Sequence, residues 1–334
     1  MAAPRPEDRT LRRIAAMDFL AWLVGFAADV FPDTATALVA FGGAVMVPIG
    51  VHAARNLQLA PGPCEPAAPR WVVRGVSLGA PFALLSTTVP RGPTAAALAA
   101  PWLVATLLVA LSAALRLYRR RARGPITELA VDGAFAYLPV GAIWLVASRW
   151  GVPLLGFHEP VVTYTANHFH YAGFAAPLVA GLVGRRLAET TRPRSRRVHA
   201  VAAAVILSAI PLVAAGIQFS HTLELPAALL LGTAMWVLAG LLLFEGVYAL
   251  RAPTSRTPEA RFGALLFFIA AASLVVSMSL VVLFATSGSA TRGAAAPAIP
   301  FTTMVRFHGV LNALGFASAA LLAVQITPRP LTDK

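Results

Sequence analysis

The feature that most restricts this chain is its hydropathy pattern: ten mainly apolar stretches, each near the length of about 20 residues that a membrane helix needs. They run Ile14–Phe31, Thr34–Val51, Trp71–Val89, Thr94–Leu117, Ile126–Ala147, Val161–Val183, Val198–Phe219, Leu225–Leu250, Phe262–Thr286 and Ile299–Ile326. Breaker-rich separators stand between them, among them Pro32-Asp33, Pro61-Gly62-Pro63, Pro90-Arg91-Gly92-Pro93 and Gly124-Pro125. Apolar side chains make up 58% of the 334 residues and charged ones 12%, about half the usual share of a soluble domain. A soluble globule, a disordered chain and a nucleic-acid-binding module are excluded. The pattern predicts an all-α, polytopic membrane helix bundle of about ten transmembrane helices. Tails over 1–13 and 327–334 flank a single expected transmembrane domain over 14–326.

The charge distribution sets an expected orientation. The formal charge is +13, and every basic residue except Lys334 is arginine. Alternate loops, with Arg74 and Arg116 at span edges, carry 23 of the 27 basic residues. The opposite loops hold three, Arg91, Arg149 and Arg292, and Arg306 lies inside the tenth stretch. Basic loops stay in the cytoplasm, so both termini are expected there. No nucleic-acid partner is expected, because aromatic residues do not interleave with the arginines. The first apolar run follows Arg9, Arg12 and Arg13 like a signal peptide, but it contains Asp18, which favours a retained helix. A single cysteine, Cys64, permits neither an internal disulfide nor a cysteine-based metal site.

Ionisable residues within membrane spans are costly and therefore mark candidate sites. The sixth stretch is the densest, reading Thr163-Tyr-Thr-Ala-Asn-His-Phe-His-Tyr-Ala-Gly-Phe174. On a regular helix Tyr164, His168 and Tyr171 share one face, and Thr163, Asn167, His170 and Phe174 share the other. His168 lies about seven residues, roughly 10 Å, below the outer edge of its span. Arg306 and His308 lie at similar depth in the tenth stretch, with Asn312 one turn further. That common depth suggests one shared site. Glu128 and Asp132, spaced i,i+4 near the cytoplasmic end of the fifth stretch, form a second layer able to hold a proton between two carboxylates. Tyr137 lies between the layers. Each of these residues also has a packing interpretation, since intramembrane polar side chains commonly bond one helix to the next. Asp18, Asp29 and Glu245 lie near span ends and are weaker candidates. No H-E-x-x-H motif occurs, so no metal and no other cofactor is assigned.

Three runs carry a family resemblance: Asp132-Gly133…Tyr137…Pro139-Val-Gly141…Trp144, His168-Phe-His-Tyr-Ala-Gly-Phe174, and His308-Gly309…Asn312-Ala313…Gly315-Phe316. Together they resemble the YndJ-like family of bacterial integral membrane proteins, over roughly 125–320. The resemblance implies a multi-pass protein of the bacterial cytoplasmic (inner) membrane. It also marks Asp132, His168, His170, His308 and Asn312 as motif positions.

Three functions fit these features. The first is a transporter or permease for a small solute, with His168, His170, His308 and Asp132 handling protons. Tyr164, Asn167, Tyr171, Arg306, Asn312, Tyr137 and Glu128 then contact the solute. The second is a membrane-embedded acid–base enzyme, of isomerase or cyclase type, acting on a lipophilic substrate. The third is a structural partner in the membrane. Lipid and a small molecule are the expected partners.

Overall fold

The computed structural model describes residues 6–57, 67–188, 193–251, 257–290 and 300–328. Cys64, Arg292 and residues 329–334 lie outside the described residues. Every regular element among the described residues is helical. The rods are α1 (Pro6–Ala27), α2 (Thr34–Asn56), α3 (Arg70–Thr87), α4 (Pro93–Arg119), α5 (Ile126–Trp150), α6 (161–188), α7 (Pro193–Phe219), α8 (His221–Arg251), α9 (Pro258–Ala290) and α10 (301–326). Three of them contain a π-helical segment: Gly42–Met46 in α2, Phe169–Ala175 in α6 and Leu311–Ser318 in α10.

Among the described residues, seven rods are long and apolar enough to cross a membrane: α2, α4, α5 and α7 through α10. The other three fall short for visible reasons. The first half of α1 carries Arg9, Arg12 and Arg13, and α3 has only 18 residues, with Arg70 and Arg74 among them. The polar run from Thr163 to Tyr171 lowers the apolarity of α6. Large apolar side chains such as Leu78, Val104, Ile143, Val201 and Phe262 are exposed on the rods. Such surfaces suit lipid tails, whereas soluble monomers keep them few. The chain is a multi-helix membrane protein.

It divides into two compact units, Met1–Leu178 and Val179–Lys334. In the first, α2 is central and almost wholly buried, with α1, α3 and the start of α6 against it. The Trp22 indole N–H donates to the Ala37 carbonyl at 2.7 Å and fixes α1 on α2. At Gly43 a Cβ would come within 2.8 Å of Ala83 Cβ and 3.3 Å of the Trp102 ring. Only glycine lets α2 approach α3 and α4 this closely. α4 packs along α5, and α5 stops at Gly151, whose left-handed φ of 80° caps the last turn.

In the second unit α7 packs on α8, α8 on α9 and α9 on α10, as short connections between antiparallel helices require. The end of α6 belongs here. His199 on α7 bonds through Nε2 to the Ala180 carbonyl at 2.7 Å.

Candidate functional site

The polar residues of α6 mostly turn inward and tie that rod to its neighbours. Asn167 Nδ2 donates to the Ala35 carbonyl of α2 at 2.8 Å and to Thr163 O at 3.1 Å. The Tyr171 hydroxyl donates to Leu38 O at 2.7 Å, again on α2. His170 is fully buried, and its Nε2 accepts the Trp102 indole N–H of α4 at 3.0 Å. An indole nitrogen only donates, so Nε2 carries no proton. Nδ1 therefore bears the hydrogen and donates to the Ala166 carbonyl at 2.8 Å. His170 is thus a neutral imidazole with both nitrogens engaged.

His168 is exposed, its Nδ1 2.8 Å from its own helix's Tyr164 O. Tyr164 is half-buried. The expectation for a regular helix grouped Tyr171 with His168, yet Tyr171 is buried beside His170. The π segment beginning at Phe169 explains the difference. Its wider turn advances each residue by a smaller angle, which keeps His170 and Tyr171 on the same inward side. Gly141 on α5 makes room for the imidazole, since a Cβ there would lie 2.8 Å from His170 Nδ1. Tyr137, half-buried on α5, sets its ring edge-on to Phe169 at 6.5 Å.

Glu128 and Asp132 do share a face of α5, as their spacing predicts, but the carboxylates are not alone. Arg116 on α4 pairs with Glu128 and, at 3.0 Å, with Asp132, while Arg120 pairs with the other Asp132 oxygen. Asp132 is 1% exposed. Two i,i+4 pairs of opposite charge thus close the α4–α5 hairpin. In the sequence both arginines stand only as loop or span-edge charge. A usable signal was present, because an Arg-x-x-x-Arg pair and a Glu-x-x-x-Asp pair flank the same short turn.

The second unit holds the α10 group. His308 Nδ1 lies 2.9 Å from the Ser277 hydroxyl of α9, and Asn312 Nδ2 donates to that same oxygen at 2.6 Å. Asn312 also donates back to His308 O at 2.9 Å. Ser277 was not anticipated. It is fully buried, and its contacts with His308 and Asn312 tie α10 to α9. Arg306 is exposed. Of the residues expected at one depth, His168 and His170 lie in the first unit and Arg306, His308 and Asn312 in the second.

His170 and Asn312 nonetheless do the same thing locally. Each stands three residues before a Gly-Phe pair whose phenylalanine, Phe174 or Phe316, is buried. Each bonds back to the carbonyl four residues earlier, and each engages a neighbouring rod at a π-helical segment. Asp18 and Glu245 are buried as well. Glu245 pairs with Arg186, which also donates to Thr327 O at 3.1 Å and Pro328 O at 3.3 Å. Among the described residues no group of three His, Cys, Asp or Glu side chains is placed to hold a metal ion.

The YndJ-like protein family matches residues 37–316, which take in every candidate residue named above from Glu128 to Asn312. The uncharacterized membrane protein YndJ of Bacillus subtilis (strain 168) is 26% identical over 225 residues. The alignment covers 67% of this chain and 37% of that relative, so the chain corresponds to little over a third of the relative's length. No solved structure matches. With most of its length matched by the family, the chain belongs to the YndJ-like family of membrane proteins.

Proposed function

We propose that this protein is a permease for a small solute, coupled to protons through Asp132, and that all ten rods lie in a bacterial inner membrane with both termini in the cytoplasm. The buried Arg116–Glu128–Asp132–Arg120 cluster carries the reading. Ionisable groups kept inside a membrane helix pair are expensive, and they mark ion and proton paths. A carboxylate held between two guanidiniums can take up a proton as an anionic solute replaces it against the arginines, so that no charge is left bare. The arginine bias of alternate loops supports the orientation.

In this reading the polar residues divide by role. Asp132, with Glu128, handles the proton. His170, neutral and bonded at both nitrogens, and Asn312 position their rods. His168, Tyr164, Tyr137, Arg306 and His308 remain candidates for solute contact. The π segments support the reading too, since such segments occur often at functional sites and give a helix a place to bend.

Purified protein in liposomes with a trapped pH-sensitive dye tests this. A panel of monocarboxylates, amino acids and hexoses is added outside. At least one solute should drive proton movement that empty liposomes do not show. No movement with any class, from protein shown to be folded and inserted, overturns the permease reading.

A further inference from the structure

We propose a second site, distinct from the ionic cluster: an oxyanion-binding mouth on the first unit, in which Arg149 grips a carboxylate or phosphate group. The α1–α2 and α3–α4 connections and the end of α5 line an open cleft of about 490 Å³, with Pro32, Asp33, Thr87, Thr88, Arg91 and Arg149 among its walls. That volume lies within the usual range for small-molecule sites, about 300–1,000 Å³. Arg149 stands 21 residues beyond Glu128 on α5, about 30 Å along the helix, so the two sites are separate.

Arg149 is the reason to expect a ligand. The residue is 2% exposed, yet its Nε–H has no hydrogen-bond partner. A buried donor on a charged group is costly to leave unmet, and a guanidinium fork matches an oxyanion in shape and charge. The nearby carboxylates, Glu159 and Asp33, act on it only through space; each has one oxygen bound to another group, and Glu159 Oε1 is itself buried without a partner. Asp33 Oδ1 accepts the Thr36 N–H at 2.7 Å and caps α2. Glu159 accepts the Thr163 hydroxyl at 2.7 Å and sits 3.5 Å from Arg91. The backbone around Arg149 is fixed, because its carbonyl accepts the Gly92 N–H at 2.8 Å and so seats the α3–α4 connection on the end of α5. The cleft therefore offers one guanidinium with an unmet donor and a second cation at its rim, with the Asp33 carboxylate opposing them. The two cations suit a small carboxylate, a free phosphate or the phosphate of a lipid headgroup, against the repulsion of Asp33. Binding here does not depend on the permease reading.

The test uses full-length protein in detergent. Calorimetric titration with sodium phosphate and sodium acetate reads free anions. Native mass spectrometry after exposure to phosphatidylglycerol vesicles reads a retained headgroup. Saturable binding of either salt, or a retained lipid, should weaken at least about tenfold in Arg149→Gln, as loss of a charge-assisted contact implies. Asp33→Asn keeps a capping side chain and removes the opposing charge, so it should tighten binding. Thr88→Phe, at an exposed position, should block the cleft and stay folded even where Arg149→Gln does not. A salt response identifies a free anion, and lipid retention alone identifies a headgroup. Association of neither probe overturns the proposal and leaves water between Arg149 and Glu159 as the occupant. Full binding in a folded Thr88→Phe protein overturns it equally.

Discussion

Trp102 and His170 lie 3.0 Å apart, indole nitrogen to imidazole Nε2, with ring planes within 18° of parallel and centroids 6.0 Å apart, and that bond decides what the histidine can do. With Nε2 accepting and Nδ1 donating, the ring has no free nitrogen for a proton or a solute. His170 holds α4, α5 and α6 in register at the point where α6 becomes π-helical.

Trp102→Phe keeps most of the packing but leaves Nε2 buried without a partner. Loss of about 1–3 kcal/mol is expected, read as a lower unfolding midpoint in detergent. A double-mutant cycle with His170→Ala should give a coupling near the membrane range of about 0.6–1.7 kcal/mol. Additive single effects would mean that the bond contributes nothing.

Gly141→Val places a branched side chain where a single Cβ already meets His170 Nδ1 at 2.8 Å. Overpacking of this kind typically costs about 1–3 kcal/mol. Gly232→Ala is the control, since its new Cβ meets only Val282 at 3.6 Å. The thermal midpoint should fall for the first variant and stay within error for the second. Equal midpoints would show that α5 yields freely at Gly141.

Arg186 ties Glu245 to the carbonyls of Thr327 and Pro328 in the second unit. Arg186→Gln leaves the Glu245 charge buried and unpaired, an expected cost of about 3–5 kcal/mol. The Thr327 amide, bonded to the Ala323 carbonyl, should then exchange its hydrogen faster. Unchanged exchange there would show that the carbonyl bonds do not hold it.

The helical architecture was legible in the sequence because lipid imposes one rule on every span: enough apolar residues to cross, with breakers between. The rods begin and end within a few residues of Pro32-Asp33, Pro90 through Pro93 and Gly124-Pro125. The ionic cluster was half legible. Glu128 and Asp132 were visible through their spacing, while Arg116 and Arg120 were hidden among loop arginines until α4 folded back along α5. Trp102 and Ser277 gave no signal, since a tryptophan and a serine in apolar helices are ordinary and only their partners make them specific. The inward turn of Tyr171 was also out of reach, because the π segment departs from the helical period on which the prediction rests. Arg149 looked like one of three sparse charges on the far side. Its buried, unpartnered Nε is a property of packing alone.

The ionic cluster yields the sharpest stability contrast. Asp132→Asn strips two guanidiniums of a shared counter-charge, with an expected loss of about 3–5 kcal/mol. Adding Arg120→Gln restores the charge balance and should recover part of that loss. Thermal unfolding of the single and double variants checks this, and a double variant less stable than the single would contradict the pairing.

The most direct measurement of the central claim is proton uptake by liposomes containing that charge-balanced variant, Asp132→Asn with Arg120→Gln, driven by whichever solute the wild-type protein moves. Folded, inserted double variant with no solute-driven proton uptake is the predicted result. Wild-type proton uptake with Asp132 replaced would contradict the account, and would leave the cluster as a clamp between α4 and α5 and nothing more.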